Sequence, residues 1–183
     1  MSTFMYPARV RCEPEWASQS LTTLKAHLSQ RYRRPIRQRM EEVSLAFPEV
    51  WPCEGDSPNG ARERLANELT LLRNTLDEHV WLEDEVLCPA IARLEDLIEP
   101  ADPRTRDGLY RLVMTVDDHH IRIRKIIDQL ASAVDTIMKC VSSTEEALLV
   151  ADIQMVALLL IWEMNLEDRC LWPRVLDLLR LDL

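Results

Sequence analysis

Residues 79–91, HVWLEDEVLCPAI, and residues 163–175, EMNLEDRCLWPRV, decide the fold of this chain. The two stretches lie 84 residues apart and share two polar residues four apart, followed by a leucine and a proline: His79, Glu83, Leu87 and Pro89 in the first, and Glu163, Glu167, Leu171 and Pro173 in the second. Residues four apart share one face of a helix. The repeat therefore predicts two helix pairs related by a pseudo-twofold axis, with equivalent side chains facing each other across a core.

Apolar residues at helical spacing extend this pattern to four long helices. The predicted helices cover residues 15–47, 61–98, 105–140 and 143–172. Pro35 and Pro89 lie inside two of them and are expected to bend them. Short connections between long helices favour an all-α, up-down-up-down four-helix bundle. We assign residues 1–14 to an N-terminal extension and residues 15–183 to the bundle.

The fourth predicted helix begins with a capping box and is strongly apolar. Ser143 is followed three residues later by Glu146, which predicts reciprocal hydrogen bonds at the helix start. Residues 147–162 are apolar, but Asp152 and Gln154 interrupt them. This stretch is too short and too polar for a membrane span, and a buried core helix explains it better.

The composition excludes some classes of function. The 183-residue chain is 47% hydrophobic, which suits one domain with a substantial core. Its net charge of -9 argues against nucleic-acid binding, which requires clustered Lys and Arg. The first residues lack the pattern of a signal peptide. Five dispersed cysteines without C-x-x-C spacing predict reduced thiols and a cytoplasmic protein: Cys12, Cys53, Cys88, Cys140 and Cys170.

The repeat also selects candidate site residues. His79 and Glu83 lie on an otherwise apolar stripe, as do Glu163 and Glu167. A carboxylate that faces a core needs a metal, an arginine or hydrogen bonds to compensate its charge. Inward Glu and His residues from several helices form the di-iron sites of helical bundles. The competing interpretation is a set of i,i+4 pairs on solvated helix faces.

At the sequence level the chain resembles the hemerythrin-like, cation-binding proteins, and within them the repair-of-iron-centres proteins. The two quoted stretches are similar to that family's H-x-x-x-E-E-x-x-L-F-P and H-x-x-L-E-N-x-x-L-F-P-R blocks. An N-terminal segment matches W-x4-L-x5-H-x3-R-Y-H through Trp16, Leu21, His27, Arg31 and Tyr32. The small cysteine-bearing module at the N-terminus of many such proteins has no counterpart here. The resemblance implies a bundle around non-haem iron.

Carried over position by position, the resemblance implies a partial ligand set. Glu83 and Glu167 match the two bridging glutamates, and His79 matches a ligand histidine. The histidine of the third helix matches His120, with the adjacent His119 as the alternative.

Two of the family's four histidines are replaced. Arg33 stands where the R-Y-H histidine is expected, and Glu163 replaces the histidine of the fourth helix. An Arg33–Glu163 ion pair is therefore expected to take the place of one metal ion. The remaining residues predict one ion rather than two, iron first and manganese second. In an alternative, Glu163 is itself a ligand.

Three functions follow as hypotheses. The first is a metal-binding protein for iron–sulphur cluster repair or the response to nitrosative or oxidative stress, with NO or O2 as a small ligand. The second is a metal-free bundle that acts as a sensor or interaction module. The third is an oxygen-activating enzyme in which Glu163 binds metal. Whether the chain is an enzyme and what its oligomeric state is are left open, with a homodimer as one option. No membrane or nucleic-acid partner is expected.

Overall fold

A computed structural model describes residues 14–51, 60–96 and 102–180, and these residues form helices without any strand. The α-helices are α1 (Pro14–Ser18), α2 (Leu21–Leu28), α3 (Arg34–Val50), α4 (Ala61–Trp81), α5 (Cys88–Asp96), α6 (Pro103–Ile137), α7 (Thr144–Leu166) and α8 (Trp172–Arg180). Three π-helical segments connect some of them directly: π1 (Ser29–Arg33), π2 (Leu82–Leu87) and π3 (Glu167–Leu171). The result is four long helical rods, at residues 21–50, 61–96, 103–137 and 144–180.

Two apolar clusters occupy the two ends of the molecule. The first includes Met40, Leu65, Leu130 and Ile153. The second includes Leu24, Leu87, Leu109 and Val175. Each rod begins in one cluster and ends in the other, and successive rods do so in alternate order. Polar residues selected from the sequence lie between the clusters, at the middle of the rods.

A proline follows each π segment after one intervening residue. The backbone N–H groups of the residues just before the prolines donate to carbonyls five residues earlier, from Arg34 to Ser29, Cys88 to Glu83 and Trp172 to Glu167. A proline within an α-helix lacks an N–H and crowds the carbonyl four residues earlier. The wider π turn accommodates Pro35, Pro89 and Pro173, so the rods continue through all three positions.

Polar caps determine where the helices begin. Ser20 Oγ accepts from the N–H of Thr23 and starts α2, so the predicted continuous helix from residue 15 is divided after α1. The capping box of α7 is confirmed, because Ser143 and Glu146 bond reciprocally. The fourth rod passes Trp172 and ends at Arg180, beyond the predicted end. Of the predicted N-terminal extension, only Pro14 belongs to the described residues.

The fourth rod satisfies the length and apolarity expected of a membrane span. The stretch Thr144–Leu179 contains an 18-residue window with a mean hydropathy of 1.9, of which half is buried inside the protein. Core helices of soluble proteins share this character, and α7 contributes Ile153, Leu160 and Ile161 to the first apolar cluster. The prediction that all cysteines are reduced is wrong for Cys170, which is disulfide-bonded, whereas Cys88 and Cys140 are free.

Candidate metal centre

Seven buried polar side chains meet at the middle of the four rods. They come from the first, second, third and fourth rods and are Lys25, Arg33, His79, Glu83, His120, Glu163 and Glu167. None of the seven exposes more than 8% of its surface. Burying so many ionisable groups is costly unless each is paired. The partners of these groups therefore indicate what the site can hold.

Four of these residues form a group suited to one metal ion. His79, Glu83, His120 and Glu167 each offer a ligand atom within 4.8 Å of the others. His79 Nε2 lies 3.8 Å from Glu83 Oε1, and His120 Nε2 lies 3.2 Å from Glu167 Oε2. Glu163 lies outside this group.

In each of the four residues, one buried side-chain atom has no hydrogen-bond partner among the described residues. These atoms are His79 Nδ1, Glu83 Oε1, His120 Nε2 and Glu167 Oε2. Unpaired buried polar atoms are rare and call for an ion or a ligand. Two imidazoles and two carboxylates fit iron, manganese or zinc by donor type. This donor set therefore fits one divalent transition-metal ion.

Arg33 occupies the opposite side of the same two glutamates. Its Nε donates to Glu163 Oε1 at 2.6 Å, and its Nη2 donates to Glu167 Oε1 at 2.8 Å. The same Nη2 contacts Glu83 Oε2, while Nη1 donates to Asp84 Oδ1 at 2.5 Å. The guanidinium thus engages Glu83 Oε2 and Glu167 Oε1. Glu83 Oε1 and Glu167 Oε2 remain for a metal ion.

Lys25 is a second cation on that side. Its Nζ lies 2.5 Å from Glu83 Oε2 and 3.4 Å from Glu167 Oε1. Burial lowers the pKa of Lys25, and the charge of Glu167 opposes that shift. Together Lys25 and Arg33 carry the same charge as one divalent ion. Both cations lie against Glu83 Oε2 and Glu167 Oε1, the carboxylate oxygens that the metal-ligand group leaves free.

Asp168 orients His120 for metal binding. Asp168 Oδ1 lies 2.6 Å from His120 Nδ1, and Arg124 Nη2 donates to Asp168 Oδ2 at 2.6 Å. In the neutral ring a carboxylate at Nδ1 keeps the proton on that nitrogen, so a metal ion that displaces the Nε2 proton would meet the Nε2 lone pair. Burial lowers the pKa of His120, but Asp168 and the adjacent Glu167 carboxylate outweigh burial and raise it to about 9, so the metal-free imidazole is protonated at neutral pH.

The carboxyl groups differ strongly in their proton affinity. Burial, then the charge of Glu167, raises the pKa of Glu163 to about 7, although Arg33 opposes both. Burial also acts on Glu167, but Lys25, His120 and Arg33 hold its pKa well below the usual range. Glu167 therefore stays ionised over a wider pH range than Glu163. The pKa of His79 is lowered well below its usual value, chiefly by burial, which keeps the imidazole neutral.

The structure also distinguishes the two adjacent histidines. His120 is fully buried and its ring lies 5.0 Å from that of His79. His119 is only partly buried, and its ring is 6.0 Å from His79. His119 does not belong to the four-residue group. Position 120, which the family resemblance favoured, is therefore the one that faces the site.

Sequence analysis missed three side chains that act on this site: Lys25, Asp84 and Asp168. A signal for Lys25 was present in the chain. Lys25, Ser29 and Pro35 have the same spacing as His79, Glu83 and Pro89, so the repeat has a third copy in the first rod. Lys25 and Ser29 are not typical metal ligands, so residue type does not reveal this third copy of the repeat. The proline and the π segment before it do.

No protein-family model matches the chain. Over 79 residues, or 43% of its length, the chain is 33% identical to an iron–sulfur cluster repair protein, YtfE, of Yersinia pseudotuberculosis. The YtfE protein of Yersinia pestis is 32% identical over the same length. The matched segment spans 35% of each relative. This distant similarity supports a relation to the iron-centre repair proteins over part of the chain.

Proposed function

We propose that this chain is a hemerythrin-like four-helix bundle that binds one divalent iron ion and serves in iron–sulphur cluster repair or the response to nitrosative or oxidative stress. The ligands are His79, His120, Glu83 and Glu167, and manganese is the second candidate metal. The partial similarity to proteins named for iron–sulfur cluster repair supports the process. The observation that supports the metal site best is that four buried residues, His79, Glu83, His120 and Glu167, each offer a ligand atom within 4.8 Å of the others.

Bound iron would supply a one-electron redox centre with open coordination positions for a small ligand such as NO or O2. The residues around it prepare the site. Asp168 fixes the tautomer of His120, while Lys25 and Arg33 restrict each glutamate to one ligand oxygen. Because Glu83 Oε2 and Glu167 Oε1 are already engaged, each of these glutamates would offer one oxygen to a metal ion.

A metal-free sensor or interaction module is the second candidate. Arg33 supports it, because a guanidinium paired with four carboxylates already compensates much of the buried negative charge. The unpaired atoms of His79 and His120 favour the first candidate, since a metal-free module would have no need for them. A cytoplasmic location and a homodimer are further proposals, and the disulfide at Cys170 removes the argument that all thiols are reduced.

Metal analysis of anaerobically purified protein, reconstituted with ferrous iron, tests the proposal. We expect about one ion per chain for the wild type and a large loss for His79→Ala, because half of the nitrogen ligands disappear. His119→Ala is the matched control and should keep its metal, since that ring lies outside the ligand group.

Each other result has a defined meaning. No bound metal in the reconstituted wild type would support the metal-free module. Two ions per chain would contradict the assignment of Lys25 and Arg33 to the second position. Unchanged metal content in His79→Ala would reject this ligand set.

A further inference from the structure

A cavity lies between α3 and α4, on the side of the polar cluster away from the metal ligands. It has a volume of about 440 Å³ and is lined by residues of both helices and by Leu160 and Glu163 of α7. That volume lies within the range of pockets that bind small organic molecules, roughly 300–1,000 Å³. The metal proposal does not use this cavity.

The wall of the cavity is apolar. Ile36 and Met40 contribute from α3, Leu76 and Val80 from α4, and Leu160 from α7. All five side chains are at least nine-tenths buried. Such a wall accommodates a short hydrocarbon chain or a small ring, which would gain about 25 cal/mol for each Å² of apolar surface removed from water.

The floor of the cavity offers a hydrogen-bond acceptor. Glu163 is 4% exposed and lines the cavity. Its Oε1 accepts from Arg33 Nε, whereas Oε2 has no hydrogen bond within the described part of the chain. Arg33, the other polar residue at the floor, already directs its donors to four carboxylates. A ligand that donates a hydrogen bond therefore has one available partner, Glu163 Oε2.

The charges around the floor favour a cationic donor. The group at the floor that is left to meet a ligand is the Glu163 carboxylate, because Arg33 is already paired with carboxylates. A carboxylate oxygen forms its stronger hydrogen bonds with cationic donors. The mouth is electrically balanced, with two exposed arginines and two exposed acids: Arg37, Arg73, Glu41 and Asp77. Only the floor therefore selects the sign of the charge on a ligand.

We propose that this cavity binds a small primary amine with an apolar body. The protonated amine donates to Glu163 Oε2, and the apolar part lies against Met40, Val80 and Leu160. The site is distinct from the metal ligands and does not require a bound metal ion. An organic amine is thus a second class of ligand for this protein.

Calorimetric titration of metal-free protein with hexylammonium, hexanol and hexanoate tests this proposal. The three probes share one chain and differ in head group. We expect hexylammonium to bind at least about ten-fold more tightly than hexanol, because a charge-assisted hydrogen bond contributes 1.5 kcal/mol or more. Hexanoate should bind most weakly. Nuclear Overhauser contacts from the alkyl chain to the methyl groups of Val80 and Leu160 locate the probe without any substitution.

Two matched variants identify the acceptor. Glu163→Gln should weaken hexylammonium binding by at least about ten-fold and leave hexanol binding unchanged within two-fold. Glu42→Gln makes the same chemical change at an exposed position of α3 outside the cavity lining and should leave both affinities unchanged. If Glu163→Gln does not fold, the probe series and the methyl contacts still decide the question. Absence of binding by all three probes, equal binding of hexanoate and hexylammonium, or equal effects of the two variants would overturn the proposal.

Because the titration uses metal-free protein, its failure would leave the metal assignment intact. Conversely, a protein that never binds iron could still bind the amine. The two proposals therefore fail separately.

Discussion

Arg33 connects the two sides of the polar cluster. It replaces an expected histidine, and its three nitrogens contact Glu163, Asp84, Glu83 and Glu167. A planar guanidinium can serve several carboxylates at once in a fixed geometry, which lysine cannot. Its removal would leave several buried carboxylates with only Lys25 as a cation.

Arg33→Ala is therefore expected to lower the free energy of unfolding by about 3–5 kcal/mol, the usual cost of breaking a buried ion pair. Proton uptake by Glu163, whose pKa is already raised to about 7, would reduce that loss below neutral pH. Arg37→Ala, one turn later at an exposed position, is the control and should change stability by less than about 0.5 kcal/mol. Urea unfolding at pH 8 compares the two. Equal effects of the two substitutions would mean that the ion pairs of Arg33 do not contribute to the free energy of unfolding.

Lys25 changes the expected outcome of restoring the family's histidines. Arg33→His with Glu163→His would supply two more nitrogens, but Lys25 Nζ would still lie 2.5 Å from Glu83 Oε2. We expect this double variant to bind one iron per chain, and the triple variant that adds Lys25→Met to bind two. Iron analysis and near-ultraviolet absorption measure the difference. A second iron in the double variant would show that Lys25 does not exclude it.

Sequence reasoning selected the glutamates and histidines because their types and spacing are those of metal ligands. It could not select Asp168, because the position of an aspartate next to Glu167 in the sequence is the same whether its side chain faces the site or the solvent. Only the packing of α6 against the fourth rod brings Asp168 to His120. Contacts between distant segments depend on tertiary structure, and spacing within one helix does not reveal them.

At the scale of the elements, the π segments explain how the rods continue past their prolines. A π turn contains one residue more than the α-helical turn it replaces, and such turns occur often at functional sites. Glu83 is the second residue of π2, and Glu167 is the first residue of π3. The extra residue also sets which face of α5 and α8 is directed toward the second apolar cluster.

Inserting one alanine after Glu85 adds a second extra residue to π2 and should rotate α5 by about 100° relative to α4. Leu87 and Ile91, both buried now, would leave the second cluster at a cost of roughly 1.5–3 kcal/mol each. Glu85→Ala changes the exposed residue beside the insertion without changing the register and should be nearly neutral. Thermal unfolding of the two variants is the measurement. Equal melting temperatures would mean that the register of π2 is unimportant.

The start of α7 yields a prediction about pH. Glu146 accepts from the N–H of Ser142 and from Trp51 Nε1, and these hydrogen bonds lower its pKa to about 2. Because the folded-state pKa lies below the unfolded value, the stabilisation is complete above about pH 4.5 and is lost as the pH falls toward 2. Glu146→Gln should thus be less stable than the wild type at pH 6, and the difference should shrink by pH 3.

Glu145→Gln is the control for that measurement, since Glu145 is an exposed acid in the same first turn. It should change the free energy of unfolding by less than about 0.5 kcal/mol at either pH. A difference between the wild type and Glu146→Gln that stays constant from pH 6 to pH 3 would contradict the role assigned to its ionised form.

At the scale of the whole molecule, helix content and the order of the rods follow from apolar periodicity alone. The rods pack so that the polar middle of each meets the others between two apolar clusters. The cavity beside α3 and α4 had no signature in the sequence. An opening between helices depends on how far apart they pack, and Met40 or Leu76 has the same periodicity whether or not the space between them is filled.

Lys25 and Arg33 are covalently part of the chain, so the two positive charges that they bring to the buried glutamates cannot dissociate as an ion can. If the chain binds iron as proposed, its removal by a chelator should leave a folded protein, in contrast to small zinc domains that unfold without their metal. Added ferrous iron should raise the melting temperature with the logarithm of its concentration once the site is saturated. A core of this kind would then exchange its ion without refolding, which suits transfer of the ion better than permanent storage.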